Sequence, residues 1–474
     1  MSAPNCLRCL VRPSPALSVS ASQHASRRIA PIGLSRTAPF STTQPGAASD
    51  KGGSQHVRTG KKMRLGKFKK AKVADRGKPP LPGERKAYRK RITLSNDNAL
   101  PVPWLTDMGP GDLLDPGNVA KVLSLPADVQ DQLRAIEAFK PTQCWNMFRK
   151  PSVLVRNETV DMMGRIQKAI ADNKTARLVL TGEKVTGKSL MLLQAMAHAY
   201  LNDWIVIHVP DAQELTTACT EYAPILGTDP VQYMQPNYVL KLIQNIRRAN
   251  ENALSKTYTV TAHPELPQNI TANTSLLALC QTAKEPEGAW SVFQALWNEL
   301  TAKDAQRPPI LFALDGLAHV MKVSDYRSPS FELIHSHDLA FVRLFADLLS
   351  GSVRFPGGGA VVAATSRNNT PRVPSMELAL SQREAEQAKA AEVPKRDPFF
   401  RGYDDRVEAA LRSVDVLRVN GASKLEARSL MEYWAASGVL RATVDEKLVA
   451  EKWALGGNGV LGEMERAALL TMKI

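Results

Sequence analysis

The sequence predicts an α/β fold, a parallel sheet flanked by helices, with a C-terminal helical lid and an extended basic N-terminal arm. Three observations predict it. A glycine-bearing loop joins a β-leaning run to a helical run, an apolar run further on ends in Asp315, and positive charge is concentrated before residue 92.

The loop comes first because every fixed position of G-x-x-x-x-G-K-[ST] is filled. Its residues are Gly182, Glu183, Lys184, Val185, Thr186, Gly187, Lys188 and Ser189. Residues 176–180 before it are short, apolar and β-leaning, and residues 190–200 after it lack Gly and Pro and repeat apolar side chains at helical spacing. Gly182 and Gly187 let the backbone curl around an anion, so that successive N–H groups and the helix N-terminus face phosphate oxygens. In this pattern Lys188 reaches the β- and γ-phosphates, and the Ser189 hydroxyl holds Mg²⁺. The second signal, Pro309 through Gly316, is a buried-strand pattern that delivers the Asp315 carboxylate to the same sheet edge, where it can hold Mg²⁺ through water.

Charge divides the chain. The net charge is +15, but residues 51–91 hold 16 Lys and Arg against Asp75 and Glu84, and residues 1–50 add a balance of +4. The remainder is mildly acidic. Residues 1–40 bear Arg, Ser and Ala and no acid, the composition of a mitochondrial transit peptide. The basic arm interleaves Gly and Pro and offers little to bury. It suits phosphate neutralisation, with Phe68 and Tyr88 available to stack on bases, although such a run can also be a merely solvated segment. Five scattered cysteines make no disulfide framework, and the Cys6/Cys9 pair has no second pair to complete a zinc site. No apolar run reaches the roughly 18 residues of a membrane span.

The rest follows in order. A helix is expected over 127–139, with Trp104, Trp145 and Phe148 packing this segment onto the core, and another over 159–171. Residues 204–209 supply the next strand, in which His208 reads as a core histidine rather than a catalyst. A helical region over 236–254 leads to a Thr-, Asn- and Pro-rich surface excursion, and a helix over 289–302 closes it. After a helix over 337–349, a strand over 360–364 ends in Thr365, Ser366, Arg367 and Asn368, where either a γ-phosphate sensor or a plain polar loop is expected. Residues 381–392 read as a polar helix or flexible insertion. A last strand over 414–419 is followed by a Ser423/Glu426 capping box and by two further helices, from residues 445 and 463, on either side of the Gly456 turn. These closing helices look like the small lid that follows the P-loop domain in AAA-like and STAND-type NTPases.

These residues resemble the death-associated protein family, the P-loop subunit of the mitochondrial ribosome's small subunit. The resemblance runs from about residue 141 to the C-terminus. It is carried by Gln143, Trp145, Phe148 and Pro151 with Val155-Arg156, by Leu180 through Ser189, by Trp204-Ile205-Val206 with Val209-Pro210, and by Leu314-Asp315-Gly316. Tyr433-Trp434 and Gly456-Gly457-Asn458 fit its C-terminal part. It implies a structural constituent of the small-subunit head in the mitochondrial matrix, binding a purine nucleotide (GTP or ATP, or the diphosphate) with Mg²⁺. The implied partners are small-subunit rRNA, neighbouring small-subunit proteins and, across intersubunit bridges, the large subunit.

Two departures bear on chemistry. Gly316 stands where hydrolysing AAA-type enzymes place a Glu, so hydrolysis is expected to be slow or absent, and no catalytic residue is assigned. No Asn-Lys-x-Asp motif is present to read guanine, which leaves the base open. Alternative functions are an active matrix NTPase switching assembly, an AAA-like remodelling ATPase, and a STAND-type signalling NTPase. The expected organisation is a transit peptide over 1–40, a basic disordered or RNA-bound arm over 41–95, a helical segment packing on the core over 96–150, a nucleotide-binding domain over 151–420 and a lid over 421–474.

Overall fold

The computed structural model describes residues 92–266, 268–302, 307–366 and 370–469. The expected transit peptide, all but the last residues of the basic arm, the Cys6/Cys9 pair, and Arg367 and Asn368 lie outside the described residues.

Three short strands, β1 (Thr106–Asp107), β2 (Val122–Ser124) and β3 (Ser152–Leu154), form a small sheet ahead of the main one. The main sheet begins with β4 (Thr175–Gly182) and β5 (Ile205–Val209). An inserted hairpin of β6 (Ala223–Ile225) and β7 (Gln232–Met234) precedes β8 (Ile310–Asp315). A second hairpin, β9 (Val323–Arg327) and β10 (Leu333–His335), precedes β11 (Gly359–Ala364) and β12 (Asp415–Val419). The five long strands are all parallel, in the order β12-β4-β11-β8-β5. The architecture is mixed α/β, a parallel five-stranded sheet flanked by helices.

Side-chain alternation explains why both faces must be covered. Val179, Phe312, Leu314, Val361 and Ala363 enter one core, and their neighbours Leu178, Leu180, Leu311, Ala313 and Val362 enter the other. Near-continuous apolar strands of this kind are stable only between two helical layers. Helices Pro236–Ala249, Pro286–Thr301 and Ala340–Ser350 supply buried side chains to the first core, and Asn157–Ala171 and Lys188–Leu201 supply them to the second. A third, smaller core joins Val122 and Leu154 of the small sheet to Met431, Tyr433, Trp434 and Met464 of the C-terminal helices.

Side chains close both edges of the main sheet. At β5, Asn250 accepts from the Val206 amide at 2.7 Å and donates to the Val206 carbonyl at 2.9 Å. The helical region expected over 236–254 breaks at this residue into Pro236–Ala249 and Glu251–Ser255. At β12, Gln387 accepts from the Val416 amide at 3.1 Å, and Arg383 donates to the Val414 carbonyl at 3.1 Å.

Other expectations shift for identifiable reasons. The helix expected over 127–139 stops at Ala135, because Glu137 adopts φ +56° and Phe139 turns inward. Trp104, expected as a packing anchor, stays 49% exposed, in an edge-to-face pair with Tyr433 at 6.4 Å, whereas Trp145 is buried and Phe148 stacks on Tyr433 at 5.0 Å. Of the polar segment expected over 381–392, residues 381–387 are the end of helix Pro374–Gln387, whose first turns bury Ser375, Met376, Ala379 and Leu380, and residues 388–392 follow outside any helix. The Ser423/Glu426 capping box forms as expected and opens helix Lys424–Ala436.

The excursion after residue 256 is tied down from below. The buried Glu299 carboxylate accepts from the Val260 amide at 2.9 Å, the Thr261 amide at 2.9 Å and hydroxyl at 2.6 Å, and Arg307 at 2.6 Å. Burial alone would raise its pKa, but the Thr261 hydroxyl and the amides hold it below the usual value. Glu299→Ala would strand the Arg307 guanidinium, which is 7% exposed, at a cost of about 3–5 kcal/mol. Denaturant unfolding should show that loss and limited proteolysis should begin within residues 256–275; a loss below about 1 kcal/mol would show that the excursion does not depend on this carboxylate.

Candidate functional site

The carboxyl ends of the five strands align, since Ala364 pairs with Leu180 and Asp315, and Val419 pairs with Gly182. In open parallel sheets ligands bind at this edge. Gly182 ends β4 at φ +139°, and a Cβ there would come within 2.4 Å of the Val419 carbonyl oxygen, so only glycine allows the loop to leave the sheet at this point. The loop then runs through Glu183, Lys184, Val185 and Thr186 to Gly187, the left-handed N-cap of helix Lys188–Leu201. The first-turn amides of that helix have no intrahelical acceptors, which gives it an electropositive end.

Lys188 is 7% exposed, and its ammonium folds back on the loop, donating to the carbonyls of Gly182, at 3.1 Å, and of Glu183. Ser189 donates its hydroxyl to Asp315 Oδ2 at 2.6 Å. The two residues expected to share a metal are thus brought together from positions 126 residues apart. Asp315 is 4% exposed and also receives the Lys140 ammonium, which arrives from the N-terminal segment. One hydroxyl and one carboxylate suit Mg²⁺, which takes its remaining ligands from water and phosphate. Among the described residues no group of three or more His, Cys, Asp and Glu is arranged to hold a metal.

Sequence reasoning missed two cations. Lys140 is the first. The second is Arg156, 3% exposed, which donates to the Thr186 carbonyl at 3.0 Å, the Asn420 carbonyl at 2.9 Å and Glu158 at 3.1 Å, with Glu426 at 4.0 Å. Arg156 stood in the family pattern, but nothing local indicated that its target was the loop. The C-terminal helix Leu461–Leu469 also touches the loop, the Gly462 amide donating to the Val185 carbonyl at 3.1 Å. Val185 itself sits at φ +53°, a conformation costing a β-branched residue on the order of 1–3 kcal/mol.

Just past β11, Thr365 turns back to β4: its amide and hydroxyl donate to the Leu180 carbonyl at 3.0 and 3.1 Å. This is a structural use of the first residue of the expected sensor stretch. A cavity of about 610 Å³ lined by Asp203, Lys256, Tyr258, Asn273 and Arg307 opens at the amino ends of β5 and β8, the opposite edge from the loop.

His208 is buried in β5, with its Nδ1 3.2 Å from the Ala313 carbonyl, and burial pushes its pKa down to about 4 against the pull of Asp315. It is the core histidine the sequence suggested.

The fold and site together define a doubly wound parallel α/β protein whose glycine loop and strand-end carboxylate meet at the carboxyl edge of the sheet. The family described as mitochondrial ribosomal death-associated protein 3 matches residues 153–467, and the chain belongs to that family. It is similar to the small ribosomal subunit protein mS29 of Neurospora crassa, with 59% identity over 477 residues covering 100% of both chains. It is also similar to the proteins of that name from Schizosaccharomyces pombe, 26% identical over 69% of this chain and 67% of the other, and from Mus musculus, 29% identical over 23% and 28%.

The His208 shift has a testable sign. Its folded pKa lies below the ordinary 6.5, so its contribution is fully present above that pH and is lost as pH falls toward about 4, on the order of 3 kcal/mol across the window. Unfolding free energies from pH 4 to 7 should therefore rise less steeply in His208→Leu than in the parent chain. Equal slopes would mean that His208 is not held neutral.

Proposed function

We propose that this chain is a structural constituent of the small subunit of the mitochondrial ribosome. The observation that carries the reading is the full-length similarity to the Neurospora crassa protein of that name. Within the subunit the chain would lie in the head, its basic residues before position 92 against rRNA and other faces against neighbouring proteins and the large subunit.

We further propose that Gly182 through Ser189 hold a purine nucleoside phosphate, GTP or ATP, with Mg²⁺ at Ser189 and Asp315, as a folding and assembly element. Support comes from the Ser189–Asp315 hydrogen bond, the left-handed Gly187 and the buried Lys188 at an electropositive helix end. Bound Mg²⁺ would supply charge neutralisation between Asp315 and the phosphates. In the structure Lys140 neutralises that carboxylate, so this ammonium and Mg²⁺ are alternative cations for one oxygen. Slow or absent hydrolysis is favoured because Gly316 stands at φ +90°, a left-handed conformation in which a Glu would be strained.

The primary test is to purify mitochondrial small subunits, quantify this chain by mass spectrometry, and identify the nucleotide released on denaturation. Stoichiometric protein with an unhydrolysed triphosphate is the expected result. A diphosphate would favour a hydrolysing switch, and absence of the chain would overturn the ribosomal reading. Lys188→Ala should lose the nucleotide and lower small-subunit levels, because a ligand that binds only the folded chain stabilises it. Normal assembly of that variant with its site shown to be empty would sink the structural-cofactor idea. Lys140→Met should lower the Mg²⁺ concentration needed to retain nucleotide severalfold, read by equilibrium dialysis; an unchanged requirement would show that the two cations do not compete.

A further inference from the structure

The two hairpins inserted between sheet strands have no role in the loop site, yet they hold much of the exposed apolar surface. Leu226 is 93% exposed, Phe331 78%, Leu333 54%, Val231 50%, Val323 42% and Tyr222 40%. The hairpins are joined to each other. Tyr222 meets the Tyr326 ring edge-on at 4.7 Å and donates its hydroxyl to the Arg327 carbonyl at 2.6 Å, and Thr220 shares a 2.8 Å hydrogen bond with Tyr326. Gln235, at the end of the first hairpin, donates to the same Tyr326 hydroxyl at 2.9 Å. A tyrosine-bonded pair of two-stranded ribbons thus presents large apolar side chains to the surroundings, an arrangement that marks an interaction site.

Charge decides what kind of partner fits. Residues 217–235, which hold the first hairpin, contain Glu221 and Asp229 and no Lys or Arg; Glu214, on the helix before it, is paired with Lys241 at 3.6 Å. The second hairpin is balanced, with Lys322 and Arg327 against Asp325 and Glu332. A surface that is acidic and apolar repels a phosphate backbone, whereas RNA-binding faces are built from Lys and Arg. It complements an extended protein segment with apolar and basic side chains, and two-stranded ribbons leave outer strand edges along which such a segment can lie.

We infer that this paired-hairpin face docks an extended, basic and apolar segment of a neighbouring protein within the small subunit, an inference that rests on the ribosomal reading above. The test uses intact small subunits carrying the full chain with p-benzoylphenylalanine in place of Leu226 or, separately, of Phe331. Irradiation should link both positions to one and the same stoichiometric small-subunit protein, through peptides of net positive charge. Links to rRNA, to this chain's own basic arm or to unrelated proteins, or no link at all, would overturn the inference. Leu226→Asp combined with Phe331→Asp should leave the isolated chain's circular dichroism and thermal unfolding unchanged, keep the chain in the subunit, and reduce the linked protein severalfold relative to it. Retention of that protein at parental level would equally overturn the proposal. Absence of the parent chain from small subunits would instead refute the ribosomal reading itself.

Discussion

The buried guanidinium of Arg156 is where loop, sheet and C-terminal helices converge. Its hydrogen bonds reach the Thr186 carbonyl in the loop, the Asn420 carbonyl just past β12 and the Glu158 carboxylate, and its Nε faces Glu426 at 4.0 Å. Glu426 is itself committed, accepting from the Asn157 amide at 3.0 Å and the Ser423 amide at 2.7 Å. A charge this deeply buried is tolerated only when its partners are in place, so loop conformation and helix placement are fixed together. Gly462 adds a second tie, from the last described helix to Val185. The strained Val185 backbone persists because these contacts over-determine it.

The same edge of the sheet gathers opposite charges, with the Asp315 carboxylate buried and the Lys140 side chain about one-third exposed. Asp315 faces Lys140 and Ser189, while Lys188 is satisfied by loop carbonyls. A phosphate arriving here, on the proposed reading, would exchange protein acceptors for its own oxygens at Lys188 and leave Asp315 to choose between an ammonium and a metal ion. The site is therefore organised in its own right, and a ligand would redistribute existing contacts rather than order a loose loop.

Local rules made much of this legible. The loop, the strand ending in Asp315, the long helices and the Ser423 capping box are each written in a short stretch, because spacing and turn chemistry act over a few residues. The contacts that complete the site are not local. Lys140 lies 175 residues from Asp315, and Arg156 lies 264 from Asn420, distances over which no pattern carries information without the fold. The hairpins escaped notice for a different reason: β6, β7 and β10 are three residues each, inside segments rich in Pro, Ser and Thr that read as turns. Helix Pro374–Gln387 was half-read because its apolar side is confined to its first two turns.

The two sheet edges carry a further consequence. Exposed edge strands invite another chain to add on, which is the usual starting point of intermolecular β-stacking. Asn250 occupies both hydrogen-bonding groups of Val206 on one side, and on the other Gln387 occupies the Val416 amide and Arg383 the Val414 carbonyl. Each cap uses side chains anchored on a helix, so the blockade is as rigid as the layer that carries it. At Val206 the main sheet thus offers a second copy of the chain neither a free donor nor a free acceptor, and at Val416 no free donor.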